Sequence, residues 1–131
     1  MKYLLDTDTC VFWLKGNERI EHKILSVGMD NLALSFINVS ELYYGAYKSQ
    51  RVEVNLAMVR RLTEQLNVVE SDESISEKFG EMKANLESAG TIIDDADRYI
   101  AACSVVHGLT LETNNTKQFR RIKEMKIQNW V

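Results

Sequence analysis

The chain is 131 residues long, and 45% hydrophobic with 27% charged residues is the balance of a globular domain, which excludes a disordered chain. Proline is absent and glycine occurs only six times, so collagen-like and proline-rich linker architectures are excluded too. The net charge of −3 is unlike that of a protein that simply coats nucleic acid, so any such role must come from a local site. No apolar run reaches the roughly 18 residues that span a bilayer. The segment Met1–Leu5 meets Asp6 too early for a secretory signal, so a cytoplasmic protein without membrane contact is expected. Cys10 and Cys103 have no zinc-ligand spacing and read as small buried hydrophobes.

In chain order, Tyr3-Leu4-Leu5 is a short apolar run suited to a buried strand. Helical patterns follow over 10–15 and 18–27, the second with Asn17 as N-cap and Gly28 as its stop. A second strand is expected at 32–36. Helices are then expected over 38–48 and 52–65, the latter with Leu56, Val59, Leu62 and Leu66 at helical spacing. Asn67-Val68-Val69 suits a strand, and Ser71 or Ser74 opens a helix with Ile75, Phe79, Met82 and Leu86 on one stripe, ending near Gly90. A helix over 96–107, capped by an aspartate in front and Gly108 behind, precedes strands at 109–111 and 126–129. Five short strands interleaved with helices predict one α/β domain over 1–131, its mainly parallel sheet covered on both faces. Ligands in such folds sit beyond the carboxyl ends of the strands.

Acids gather at those ends. Asp6 follows the first strand directly, and a carboxylate against a buried strand is costly unless something compensates it. Asp8 or Thr9 is the expected N-cap of the next helix. Glu41 follows the second strand and shares a helix face with Gly45. A glycine inside a helix costs about 1 kcal/mol relative to alanine, which suggests a close backbone approach there. Asp94-Asp95-Ala96-Asp97 opens a later helix; one acid is the cap, and Asp97 falls on the stripe of Ile100, Ala101 and Ser104 that packs inward. Thr113-Asn114-Asn115-Thr116 follows another strand, where asparagines also suit a plain turn. Hard oxygen ligands of this kind suit magnesium or manganese. Nearby, residues 117–126 carry five bases against Glu124, a rim able to meet a phosphate backbone.

Four segments together are similar to the PIN domain, and specifically to VapC-type toxins of bacterial toxin–antitoxin modules: Leu4–Asp8, Asn38–Ala46, Ile93–Ala102 and His107–Thr116. The resemblance runs the length of the chain and implies a three-layer α/β/α fold with a five-stranded sheet. It implies a magnesium-dependent endoribonuclease, with manganese as a substitute. Such an enzyme cuts tRNA or other translation-related RNA, leaves a 5′-phosphate and a 3′-hydroxyl, and is blocked by a VapB-type antitoxin. Carried over by position, Asp6, Glu41 and Asp97 are the metal-holding acids, with Asp95 a further acidic position. Asn115 stands at a catalytic station that is aspartate in many relatives. Lys117, Arg120 and Arg121 become RNA contacts. The tyrosines of the 38–48 helix exceed what one face can bury, so Tyr44 and Tyr47 with Met58 and Leu62 are the expected antitoxin groove. A homodimer contact is expected elsewhere, or a heterotetramer or larger assembly with the antitoxin, and any contact with DNA runs through the antitoxin. Two rivals share features: a haloacid-dehalogenase-like phosphatase, through Asp6-Thr7-Asp8-Thr9 and Asp94-Asp95, and a catalytically inactive RNA-binding or assembly domain.

Overall fold

Strand β1 (Tyr3–Leu5) lies at the centre of a five-stranded sheet in the computed structural model, which describes residues 1–131. β2 (Leu32–Ser35) and β3 (Asn67–Val69) lie on one side of it, β4 (Thr110–Glu112) and β5 (Lys126–Gln128) on the other. Every pairing is parallel, so the sheet is wholly rather than mainly parallel. Alternation along the central strands separates two cores. Leu4, Ala33 and Leu111 face one, while Leu5, Leu32 and Leu34 face the other.

Helices cover both faces, giving the expected three layers. α1 (Thr7–Leu14), α2 (Glu18–Val27), α3 (Phe36–Lys48) and α4 (Val52–Gln65) pack on the Leu5 side through Cys10, Ile20, Ile24, Leu42, Leu56 and Val59. α5 (Glu73–Ser88), α6 (Asp95–Val106) and the single turn α7 (Thr116–Phe119) cover the Leu4 side through Ile75, Met82, Ile100 and Phe119. No helix is long and apolar enough to cross a membrane.

The departures from expectation fall at helix starts. α1 begins at Thr7 rather than Cys10 because Asp6 caps it, displacing Asp8 and Thr9 from that role. α3 begins at Phe36, ahead of the expected Asn38, because Ser35 and Asn38 form a reciprocal capping box. α5 is capped by Asp72, whose carboxylate accepts from the Ile75 amide at 2.9 Å, while Ser74 donates to the same oxygen at 2.7 Å. The sheet order places β1 next to β4, with the chain winding outward in both directions from that pair. A crevice therefore opens at their carboxyl ends, where Asp6 and Thr113 stand.

Candidate active site

Asp6 is held where a carboxylate is least comfortable. Its amide continues the sheet by donating to the Glu112 carbonyl at 2.9 Å, and only 8% of the residue is exposed. Oδ1 accepts from the Thr7 amide at 2.9 Å and from Asn38 Nδ2 at 3.3 Å, and Oδ2 accepts from Thr113 Oγ1 at 2.7 Å. Burial raises its pKa more than these bonds lower it. Each carboxylate oxygen offers two lone pairs, so Oδ1 is fully engaged while Oδ2, with one bond, retains capacity for a cation. Beside it, Asp8 accepts from the Thr9 amide at 2.7 Å, and its pKa is raised by burial and by Asp6.

Asn38 ties Asp6 to Glu41. Its Oδ1 accepts from the Ser35 amide at 3.1 Å, and its Nδ2 donates both to Asp6 and, at 3.1 Å, to Thr7 Oγ1. Thr7 Oγ1 in turn donates to Glu41 Oε1 at 2.6 Å. Glu41 is half-buried; burial raises its pKa, the Thr7 bond lowers it, and the charges of Asp6 and Asp94 raise it again. Sequence reasoning did not single out Asn38. The available signal was the spacing of a capping box, Ser35 with the polar amide of Asn38 three residues on and Glu41 three residues after that.

The third acid comes from α6. Asp94 is the N-cap and accepts from the Asp97 amide at 2.9 Å, which orients the first turn. Asp97 is half-buried, and its pKa is pushed up to about 6 by burial and then by Asp94 and Asp6, with Glu41 adding to the effect. Gln118 Nε2 donates to Asp97 Oδ2 at 3.4 Å. Asp95 is not brought to the site. Its exposed carboxylate pairs with Arg98 at 2.7 Å and Lys83 at 3.2 Å, which hold its pKa low, so Asp94 rather than Asp95 shares the field of Asp97.

Asn115 is exposed; its amide donates to Thr113 Oγ1 at 2.9 Å, and its side chain makes no capping bond to α7. With Lys117, Gln118 and Arg121 it lines a shallow cleft of about 300 Å³. Arg121 also donates to the Ile92 carbonyl at 2.8 Å and to the Gln118 side chain, so it braces Gln118 toward Asp97. Arg120 lines a separate hollow with Lys123 and Asn129 and does not join Lys117 and Arg121. Behind the site, Glu112 is fully buried on β4 and accepts from the Trp130 amide at 2.6 Å, with burial raising its pKa. The sequence offered no signal for it beyond a carboxylate at the end of an apolar strand.

The expected groove residues separate. Tyr44 and Tyr47 are exposed, 66% and 64%, whereas Leu62 is 3% exposed and belongs to the core. Met58 lines two clefts, one of them a pocket of about 360 Å³ whose wall includes Thr7 and Glu41. Gly45 lines that same pocket. A Cβ built on it meets nothing within 4 Å, so no close backbone approach explains this glycine.

Asp6, Glu41, Asp94 and Asp97 thus concentrate negative charge without a cation to offset it, since Lys83 and Arg98 are engaged by Asp95. This donor set of hard carboxylate oxygens fits a divalent cation of the magnesium class. No three acids are close enough to form a ready-made cage, so water and substrate oxygens would complete the coordination.

The PIN domain family matches residues 3–125. The tRNA(fMet)-specific endonuclease VapC of Salmonella typhimurium is 33% identical over 130 residues, covering 99% of this chain and 98% of that protein. Ribonuclease VapC2 of Haemophilus influenzae is 35% identical over 134 residues, covering 100% and 99%. Among solved structures, the DNA-bound VapBC complex of Salmonella typhimurium contains a chain with a TM-score of 0.94 and 34% identity, covering 100% of this chain and 99% of that one. Nothing in these similarities supports the haloacid-dehalogenase-like alternative, and the acid pair it needs is split, with Asp94 capping α6 and Asp95 held in ion pairs.

Proposed function

This chain belongs to the PIN domain family, and on that premise we propose how it acts: as the VapC-type toxin of a toxin–antitoxin module, an endoribonuclease that depends on a divalent metal. The observation that supports the reading is that Asp97, at the start of α6, lies in the electrostatic field of both Asp6, which follows β1, and Glu41 on α3, while the nearby Lys83 and Arg98 are engaged by Asp95.

Asp6, Glu41 and Asp97 would hold the ion, magnesium by preference with manganese as substitute. When bound, the ion acidifies a water and stabilises charge on the attacking and leaving oxygens of a phosphodiester. Thr113 and Asn38 fix both Asp6 oxygens, so that carboxylate meets the ion without reorganising. Thr7 does the same for Glu41, and the Asp94 cap does so for the first turn of α6. An acid of the cluster not engaged by the ion would accept a proton from the attacking water. Lys117 and Arg121 flank the cleft next to Asn115 and suit the phosphates of the strand being cut, which we take to be tRNA or other translation-related RNA. The Asn115 amide adds a hydrogen-bonding group without a charge, which leaves a second ion to be held weakly. The products are a 5′-phosphate and a 3′-hydroxyl.

The partner is a VapB-type antitoxin. Tyr44 and Tyr47, exposed on the outer face of α3, together with Met58 offer it an amphipathic surface. Bulk tRNA incubated with the purified chain and magnesium should be cut to fragments bearing 5′-phosphates, and EDTA or added antitoxin should stop the reaction. Cutting that persists in EDTA would overturn the metal-dependent reading.

A further inference from the structure

The pocket between α1, α3 and α4 has no part in the metal chemistry described above, yet it shares two residues with it. Thr7 and Glu41 form part of its wall, Val11, Leu42 and Met58 supply apolar surface, and Lys15 and Asn55 are its polar members. Gly45 also lines it, as the tenth residue of a thirteen-residue helix, where alanine would favour the fold. Its backbone is ordinary helix and nothing packs against it, so neither a left-handed turn nor a close neighbour accounts for the missing side chain. What a side chain there would take away is pocket volume.

We infer that this pocket receives a nucleobase of the substrate RNA adjacent to the scissile phosphate, and that Gly45 is the residue that keeps it open; the inference rests on the ribonuclease reading. Three observations favour a base. The apolar side chains offer contact surface for a flat ring, and single-stranded RNA presents unstacked bases to such surfaces. Asn55 spends one amide hydrogen on Ser49 Oγ at 2.8 Å, which leaves its carbonyl oxygen free to accept from a base edge. Lys15 is exposed and takes part in none of the ion pairs of the chain, so its ammonium is free to meet the phosphate of the same nucleotide. Because Glu41 belongs to both sites, a base in the pocket lies next to the phosphate held at the acids.

The test compares the wild-type chain with Gly45→Ala and Gly45→Leu on a random-sequence single-stranded RNA pool with magnesium, reading cut sites by sequencing. The wild type should show a base preference at one nucleotide flanking the cut. Gly45→Leu should flatten that preference and slow cutting at preferred sites at least tenfold, mainly through KM, while keeping the magnesium-induced rise in Tm. Gly45→Ala should melt a few degrees higher, from its better helix propensity, with a weakened preference. If Gly45→Leu gives no cooperative melt, the Gly45→Ala preference decides. A folded variant with unchanged preference and rate overturns the base pocket and leaves the ribonuclease reading intact. A variant that cuts like the wild type but no longer binds antitoxin overturns it in favour of a peptide side chain. No cutting by the wild type overturns both readings.

Discussion

Asp97 shows how a single residue can be a liability to the fold and an asset to the site. Its pKa of about 6 in the folded chain exceeds the ordinary aspartate value, so the folded state binds that proton more tightly than the unfolded chain does. Stability from this group therefore falls as the pH rises from about 4 to about 6, and above that range the charged form weakens the fold. Asp97→Asn removes the penalty; after solvent screening of a half-exposed group, we expect a gain of roughly 1 kcal/mol at pH 7 that vanishes near pH 4. The same substitution should abolish RNA cutting and shrink the rise in Tm that magnesium gives, because a ligand stabilises only the state that binds it. Thermal melts at both pH values, with and without magnesium, check this. A variant destabilised at pH 7 whose magnesium response is intact would make Asp97 a structural cap instead. Asp6 and Asp97 stood out in the sequence because carboxylates next to buried runs demand an explanation. Asp95 is harder to place for an equally physical reason: adjacent acids look alike in a sequence, and here Lys83 and Arg98 engage this one.

At the scale of elements, strands and long amphipathic helices were legible because their periodicity reports burial directly, and the ends were not, because caps depend on single hydrogen bonds. The start of α3 is the clearest case. Ser35 reads as the last residues of a strand and Asn38 as the first of a helix, yet together they form the box that starts the helix and supports Asp6 and Thr7. α7 is not announced by the sequence, because four residues carry too little periodicity to mark a helix. Asn38→Ala would leave the Ser35 amide without its partner in a fully buried position and release the Asp6 and Thr7 contacts. A loss of about 2 kcal/mol is expected in urea unfolding, from the unsatisfied groups and the lost cap. Cutting activity should fall further than stability explains, measured on the fraction that remains folded, because Glu41 loses its fixed hydroxyl neighbour.

For the molecule as a whole, the exposed aromatic face of α3 is the surface that the fold leaves without a use of its own. Tyr43 packs into the core, whereas Tyr44 and Tyr47 do not, and Lys48 lies over the Tyr44 ring at 5.6 Å. Replacing both exposed tyrosines with alanine should leave the melt of the free chain within a degree or two, since surface substitutions rarely change stability by more than about 0.5 kcal/mol. Binding to the cognate antitoxin should weaken at least tenfold in calorimetry, given the weight aromatic anchors carry in interfaces. Unchanged affinity would move the antitoxin surface off this face.

The hydrogen bond from Thr113 to Asp6 joins residues 107 positions apart, and Glu41 and Asp97 are contributed from opposite sides of the β3 strand in chain order. A single proteolytic cut between α4 and α5 would leave Asp6 and Glu41 on one fragment and Asp97 and Thr113 on the other. Neither fragment can reconstitute the cleft alone, nor can a half-folded intermediate whose long-range parallel pairings have yet to form. Disarming the chain therefore needs no strike at the acids themselves. One nick in a connecting loop, followed by separation of the halves, ends its capacity to harm the cell that made it.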